Sequence, residues 1–421
     1  LSDRPVVLIV AAADKEAEAY RGYCLDSVAA AYDVVLITGE EPSWEVPYIR
    51  DCVVADPTDQ AALSAAGRAL AERYNLAGVF TWTEWYLVPV ARLARQLGLP
   101  TTGPEAMQAC RNKATSRTLF ARHGVPSAAS ASVRTLQEAR GAAERIGYPV
   151  VLKPAAHAAS IGVVRAETPE QLTAAFEFAN KAAGLGREST SVLVEEYLDG
   201  PEVSVECVTH RGETTVVALT HKTVSDPPYF EELAHCVDAA DPLIHVVAPA
   251  ARAAIRALGI TDGIAHVEMR LVDGRPRLVE VNGRIAGDMI GHLVRLSTGI
   301  DLPRAAADIA CDRAPDLTPT RYSAAAIQLI YPETSGILRR LDFDGPRPPW
   351  LERVHFQRHI GDQLLLPADG GDMFTARIGY LITTAPTADL AQARAEQAAR
   401  SLRIDVTPHI AGYVVAGGRA A

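Results

Sequence analysis

The sequence predicts a multidomain protein that opens as α/β and continues as α+β. Three observations carry that reading. Over the first hundred residues, short apolar runs alternate with longer amphipathic stretches, as in βαβ units on a parallel sheet. From Pro149 onward, strand-like runs follow one another across short turns, as in antiparallel hairpins. The chain has 421 residues, too many for one ordinary core, so two to four domains are expected.

The elements follow in order. VVLIVAA, from Val6, is the first strand, and the stretch to about Ala31 is a helix. VVLIT, from Val34, and CVVA, from Cys52, are the next strands. Thr58 to Arg73 reads as a helix, AGVFTW from Ala77 as a strand, and Trp85 to Leu97 as a helix. No G-x-G-x-x-G follows the first strand, which argues against a dinucleotide enzyme. GLPTTGPEAM, from Gly98, is a turn-rich break. A helix carrying RNKATSRTLFARHG then ends at Gly124, a suitable C-cap before Pro126. Next come a helix over Leu136 to Ile146, the strand PVVLKP, the small-residue loop AAHAASIG and the strand GVVRA. A helix from Pro169 to Ala183 precedes the strands SVLVEEYL, EVSVECVTH and TTVVALTHK, joined by DGPE and RGET. Val224 to Leu243 reads as a long irregular loop, the kind that forms substrate lids. A helix over Pro249 to Leu258 leads to a hairpin, and IAGDMIGHL and IDLPRAAADIA supply further helix. Ala314 to Thr320 reads as a linker. From Tyr322 several strands and one helix, Ala388 to Leu402, complete the chain.

Bulk properties narrow the function classes. A hydrophobic content of 48% with 22% charged residues describes a globular protein. The net charge of −10, with no long basic block, excludes electrostatic capture of nucleic acid or of an anionic membrane. The six cysteines form no C-x-x-C pair and neither a zinc nor a disulfide pattern, so a reducing, cytoplasmic setting is expected. No apolar run reaches membrane-spanning length. The opening LSDRPVVLIVAAAD reads as a first strand rather than a signal peptide, and its Leu1 leaves room for a missing native start.

The most informative stretch is LVEVNGR, Leu278 to Arg284, reached from HVEMR, His266 to Arg270, through Asp273 and Gly274. With a three-residue turn, Glu268 faces Glu280 across a hairpin, and Asn282 and Arg284 share that face because side chains repeat every second residue. Two carboxylates and a carboxamide suit Mg²⁺, which takes oxygen ligands and lets substrate phosphates complete its shell. An arginine beside them suits a phosphate or carboxylate oxygen that gathers charge. The alternative is an amphipathic hairpin with a solvated acidic face.

Four elements stand in sequence: Lys113 in RNK, Lys153 in PVVLKP with its loop, EEYLDGPE, and the Glu268/Glu280/Asn282/Arg284 hairpin. As an ordered set they resemble the ATP-grasp superfamily of carboxylate–amine and carboxylate–thiol ligases, from about Arg111 to Leu302. EVNGRIAGDMIGHLVRLSTGIDL and the tail from Thr375 look most like the L-amino-acid ligase and carnosine-synthase-like branch. The resemblance implies an ATP-grasp fold with an N-terminal parallel βαβ pre-grasp domain (1–110), a nucleotide-binding and catalytic region (111–312) and a small C-terminal α+β domain (321–421). It implies ATP with two Mg²⁺ ions, Mn²⁺ being a possible substitute, and small-molecule carboxylate and amine substrates. Relatives are often homodimers.

Residue roles follow from the same resemblance. Lys113 and Lys153 contact the α- and β-phosphates, and Ser160 and Gly162 belong to the phosphate loop. Backbone groups around Glu196 and Leu198 read the adenine edge with Glu195 beside it, and Glu202 accepts from the ribose. Glu268 and Glu280 bind Mg²⁺ with Asn282 on the second ion, and Arg284 holds the γ-phosphate and then the acyl phosphate. Glu84, Glu232 and His235 are candidate substrate groups, with Tyr229 and Phe230 as an apolar wall. Plain structural alternatives stand beside these: a solvated helix lysine for Lys113, a helix N-terminal acid for Glu84, an ordinary hairpin loop for AAHAASIG. His157 reads as an exposed loop residue and His266 as a packed strand residue. The implied reaction is ATP-dependent amide formation through an acyl phosphate, releasing ADP and phosphate. The alternatives are an ATP- and bicarbonate-dependent carboxylase of the biotin carboxylase or purine-pathway type, and a non-catalytic nucleotide-binding protein.

Overall fold

A computed structural model describes residues 4–12, 17–157, 160–185 and 188–408. The expected phosphate loop is therefore described except for 158–159, and the expected C-terminal region except for 409–421.

The βαβ pattern at the start forms a four-stranded parallel sheet in the order Ile49–Val54, Asp33–Thr38, Val6–Val10, Leu76–Phe80. Leu63, Leu70, Val90 and Leu93 cover one face from the helices Gln60–Arg73 and Leu87–Leu97. The other face joins Leu293, Val294, Leu302 and Ile309 in a core shared with Val208, Ile327 and Tyr380. That shared core fixes the parallel sheet against the rest of the molecule.

An eight-stranded sheet forms the middle, in the order Arg275–Asn282, Gly263–Val272, Glu202–His210, Glu213–Val224, Glu232–Asp238, Ala324–Ile330, Gly379–Ala385, Leu351–Phe356. Above it stands a smaller antiparallel sheet, Ser130–Val133, Val192–Glu196, Val150–Pro154, Val164–Ala166, with its own core around Val150, Leu152, Phe176 and Val194. A three-stranded sheet of Gln363–Leu364, Gly336–Phe343 and Leu402–Pro408 closes the C-terminal region.

The structure corrects two readings. Residues 224–243 are not one long loop: Glu232–Asp238 is a strand, paired on one side with Thr220–Val224 and on the other with the strand Ala324–Ile330. Only 225–231 and the short turn 239–243 lie outside strand. Pro227 and Pro228 break the pattern upstream, and a central strand with sheet neighbours on both sides tolerates the polar His235. The helix expected to start at Pro249 begins earlier, at Ile244, and runs through that proline to Leu258.

The hairpin turn is also tighter than expected. Asp273 and Gly274 alone connect the strands, both with positive φ (50° and 74°), the two-residue geometry that matches strand twist. With that turn alone Glu268 would face Val279. A bulge restores the pairing: Met269 faces Leu278, Glu268 faces Glu280, and Val279 is the extra residue. The carbonyl of Val279 accepts from Arg117 Nη2 at 2.7 Å, so the bulge is held from outside the sheet.

Gly200, between the strands Val192–Glu196 and Glu202–His210, has φ 151°, and a Cβ there would lie 2.1 Å from the Leu271 carbonyl oxygen. A Cβ on Gly274 would meet open space. Gly274→Ala should therefore destabilise by about 1 kcal/mol, the conformational term alone. Gly200→Ala should lose more, by about 1–3 kcal/mol of overpacking in addition. Denaturant unfolding of both variants checks this, and equal losses would contradict it.

Candidate active site

A cleft of about 540 Å³ opens between the small and central sheets, at the carboxyl ends of the parallel strands. The small sheet presents Lys153 and Glu195; the connection Glu196–Leu198 leads across to the central sheet, which presents Glu202, Lys222, Glu232, His235, Glu268, Glu280 and Asn282. Glu84 and Trp85 reach in from the parallel sheet, and Gln357, Phe374 and Arg377 from the C-terminal region.

The structure brings together most of the residues singled out in the sequence. Lys113, Lys153, Ser160, Glu195, Glu196, Leu198, Glu202, Glu268, Glu280, Asn282, Arg284, Glu84, Glu232 and His235 all line this cleft. Gly162 does not: it packs against Ala182 and Pro154.

Lys113 opens the helix Lys113–Arg122, which Asn112 caps by accepting from Thr115 N. It is not a solvated helix lysine. Its Nζ is buried, 2.9 Å from Glu280 and 2.8 Å from the His157 carbonyl that accepts from it, while its backbone N–H donates to Ala155. The helix start and the small-residue loop are thereby tied together. His157 packs edge-on against Trp85 rather than standing in solvent (centroids 5.5 Å apart).

Lys153 pairs with Glu195 at 2.6 Å, and Arg117 holds the other oxygen of Glu195 at 2.8 Å. Burial pushes the Glu195 carboxyl up, but Arg117 and Lys153 outweigh it and keep it below the usual carboxylate range. Two cations therefore share one carboxylate here, which leaves positive charge to meet an anion. At the connection, the Glu196 N–H donates to Ala129 and is spent within the sheet, and the Glu196 carboxylate turns outward to Arg277 at 2.8 Å. The Leu198 carbonyl accepts from Arg270 at 3.3 Å.

Sequence reasoning missed Lys222. Its Nζ is buried among Glu232 at 2.8 Å, Glu268 at 3.0 Å and Glu202 at 3.1 Å. Burial opposes its charge, but these acids raise its pKa well above the usual lysine range. Arg270 takes the second oxygen of Glu202 at 3.0 Å. The strand end THK carried no signal beyond an ordinary charged terminus.

His266 also sits in the network. Its Nδ1 lies 2.6 Å from Glu206, a residue with 0% exposure, and its Nε2 lies 2.9 Å from Glu268. Burial opposes a charge on the imidazole, but Glu206 outweighs it and the pKa rises to about 9. One oxygen of Glu268, Oε1, thus faces both His266 and Lys222. This resembles the outer-shell support that orients metal-binding groups.

Glu84 is buried, with Oε1 2.8 Å from Arg111 and Oε2 in contact with Arg284 Nε. Burial raises its carboxyl, yet the two guanidiniums bring it down to about 2. Both its oxygens face arginines, so a substrate ammonium would have to displace one of them. His235 lies 3.4 Å from Asp288 and 3.8 Å from Glu232.

The donor set fits a hard divalent cation. Glu268 and Glu280 face each other, Asn282 follows two residues on, and cations now hold both carboxylates. Among the described residues no group of three or more His, Cys, Asp or Glu could form a metal cage of its own. Mg²⁺ uses one or two carboxylates and draws its other ligands from phosphates and water.

The chain is similar to known families and proteins. Residues 27–101 match the ATP-grasp N-terminal domain family, 146–292 the ATP-grasp domain family and 328–407 the L-amino acid ligase C-terminal domain 2 family. An uncharacterised protein of Sinorhizobium fredii is 27% identical over 361 residues, 84% of this chain and 73% of that one. The alanine–anticapsin ligase of Bacillus subtilis is 30% identical over 268 residues, 57% of this chain and 56% of that protein. The chain thus spans little more than half the length of that ligase. The crystal structure of L-amino acid ligase from Bacillus licheniformis superposes with a TM-score of 0.81 at 23% identity, over 96% of this chain and 100% of that one, which speaks for the fold. Among the described residues no helix is long and apolar enough to cross a membrane.

The buried imidazole gives a pH-dependent expectation. His266 moves from an ordinary value of 6.5 to about 9 in the fold. Folding favours its charged form, so its contribution to stability is full below pH 6.5 and is lost as the pH rises through 9. The melting temperature of the wild type should exceed that of Glu206→Gln most at pH 6 and converge on it by pH 9–10. A gap that stays constant over that range would contradict the assignment.

Proposed function

We propose that this chain, an ATP-grasp protein carrying the C-terminal domain of L-amino acid ligases, joins a carboxylic acid to an amine as an amide while converting ATP to ADP and phosphate. The observation that carries this reading is one cleft holding the Glu268/Glu280/Asn282 donor set, the buried Lys113, Lys153 and Lys222, and Arg284. Amino acids are the substrate class favoured by the C-terminal domain match, which makes dipeptides the expected products.

On this reading Lys113 and Lys153 draw the phosphates of ATP into the cleft, the Glu196–Leu198 connection borders the adenine, and Glu202 accepts from the ribose. Glu268, Glu280 and Asn282 would hold Mg²⁺, which when bound neutralises phosphate charge. A carboxylate oxygen of the acid substrate attacks the γ-phosphorus, the bond to ADP breaks, and an acyl phosphate forms. Arg284 faces the oxygens on which charge collects, where a fixed guanidinium lowers the barrier. The amine then attacks the acyl carbon, the C–N bond forms, phosphate leaves with the C–O electrons and the nitrogen gives up a proton. Glu232 and His235 border the acid and amine groups.

Within the cleft these charges satisfy one another: Lys113 holds Glu280, Lys222 holds Glu268 and Glu84 holds Arg284. Each pair exchanges its partner when nucleotide and substrate enter. The pairs therefore keep the cleft neutral without filling it.

A phosphate-release assay over a matrix of acids and amines, with mass spectrometry of products, tests the proposal. Amide, ADP and phosphate should form in equal amounts. AMP with pyrophosphate, or ADP release driven by bicarbonate without any amine, would sink it. Arg284→Met should lower kcat by about 10²–10³-fold while ADP still binds, because the guanidinium acts on charge that develops during transfer.

A further inference from the structure

A row of alternating charges crosses from the small sheet to the hairpin: Glu188, Arg111, Glu84, Arg284. Glu188 precedes the strand Val192–Glu196, and its side chain is 33% exposed. Arg111 ends the helix Pro104–Arg111, is 3% exposed and stands behind the cleft rather than in it. Its Nη1 donates to Glu84 Oε1 at 2.8 Å, its Nε to Glu188 Oε1 at 3.3 Å and its Nη2 to Glu188 Oε2. Its Cζ lies 4.5 Å from the centroid of the Trp85 ring. Arg284 touches the remaining oxygen of Glu84 with Nε and donates from Nη1 to the Ile285 carbonyl at 3.1 Å.

A bidentate carboxylate and an aromatic face fix the plane of the Arg111 guanidinium, and its remaining nitrogen is thereby aimed at Glu84. The four charges of the row cancel. When Arg284 turns from Glu84 to a phosphate, the three that remain carry one net negative charge, beside an anion. That charge opposes the move, and its size is set by the two residues outside the cleft. Without the charge of Glu188 the remainder would be neutral. Without the charge of Arg111 it would be doubly negative. Such differences are felt strongly because most of the row is out of water. Arg111 also keeps Glu84 paired once Arg284 has gone, and a buried carboxylate without a partner is strongly unfavourable.

We propose that Arg111 is a positioning residue that sets how tightly Glu84 holds Arg284, and that Glu188 tunes this hold from the small sheet. The inference rests on the ligase reading, in which Arg284 leaves Glu84 for the γ-phosphate. The readiness of Arg284 to turn is then graded by charge that arrives along the row, from residues that touch neither nucleotide nor substrate.

The test uses the full-length protein and two probes with Mg²⁺: ADP, and an ATP analogue whose β,γ-bridging oxygen is replaced by NH. Calorimetry gives Kd for each, and the ratio isolates the γ-phosphate. Arg284→Met should weaken the analogue and leave ADP unchanged. Glu188→Gln keeps the shape of the side chain and should tighten the analogue relative to ADP by about 3–10-fold, whereas Arg111→Gln should weaken it by at least as much. In the Arg284→Met background both shifts should shrink to about twofold or less. A pair that merely staples the small sheet in place would give losses for both variants. A general field effect would persist without Arg284. Either result overturns the inference and leaves the ligase reading standing. Where Arg111→Gln does not fold, the sign of the Glu188→Gln shift and its dependence on Arg284 decide alone. Equal binding of the analogue by the wild type and Arg284→Met takes Arg284 away from the γ-phosphate and overturns the reading on which the inference rests.

Discussion

Everything in the cleft depends on two carboxylates facing each other across one antiparallel pair of strands. Glu268 and Glu280 share a face only because a bulge at Val279 corrects the register that the two-residue turn would otherwise impose. A one-residue slip would send Glu280 and Asn282 to the other side of the sheet. Arg117 holds the bulge by its carbonyl and reaches Glu195 as well, which links the hairpin to the sheet carrying Lys153. The position of a candidate metal ligand and of a candidate phosphate lysine is thus fixed by one arginine.

So many buried charges are tolerable because none is isolated. A buried ion without a partner is strongly unfavourable, and a paired one is roughly neutral. Lys222 among three glutamates, His266 between Glu206 and Glu268, and Glu84 between two arginines are local solutions to the same problem. These networks give little net stability. What they supply is a set of side chains held in place and ready to exchange one charged partner for another, which is what a site for a polyanion and its metal requires.

The fold was legible where periodicity was strong. The parallel sheet, the hairpin and most helices follow from apolar runs of period two or from capped amphipathic segments. The strand Glu232–Asp238 was not, because a proline pair precedes it and because one of its two sheet neighbours, Ala324–Ile330, lies far away in the sequence. In the site, residues in compact motifs could be read: Glu268, Glu280, Asn282 and Arg284 lie on one hairpin. Lys222, Glu206 and Arg117 could not, since each gains its meaning from a partner on another strand or helix. A lysine ending a strand looks the same in sequence whether solvent or three carboxylates surround it. Gly162 shows the converse: a glycine placed by motif in a phosphate loop packs against Ala182 and Pro154.

The central claim is that Glu268 and Glu280 exchange lysine partners for a metal when nucleotide enters. The most direct measurement is a crystal structure of the protein with ADP and Mg²⁺. The account predicts oxygens of both glutamates about 2.0–2.1 Å from the metal, with Lys113 moved from Glu280 to a phosphate. A nucleotide bound elsewhere, or bound here with the Lys113–Glu280 and Lys222–Glu268 pairs intact and no metal between the two carboxylates, would contradict it.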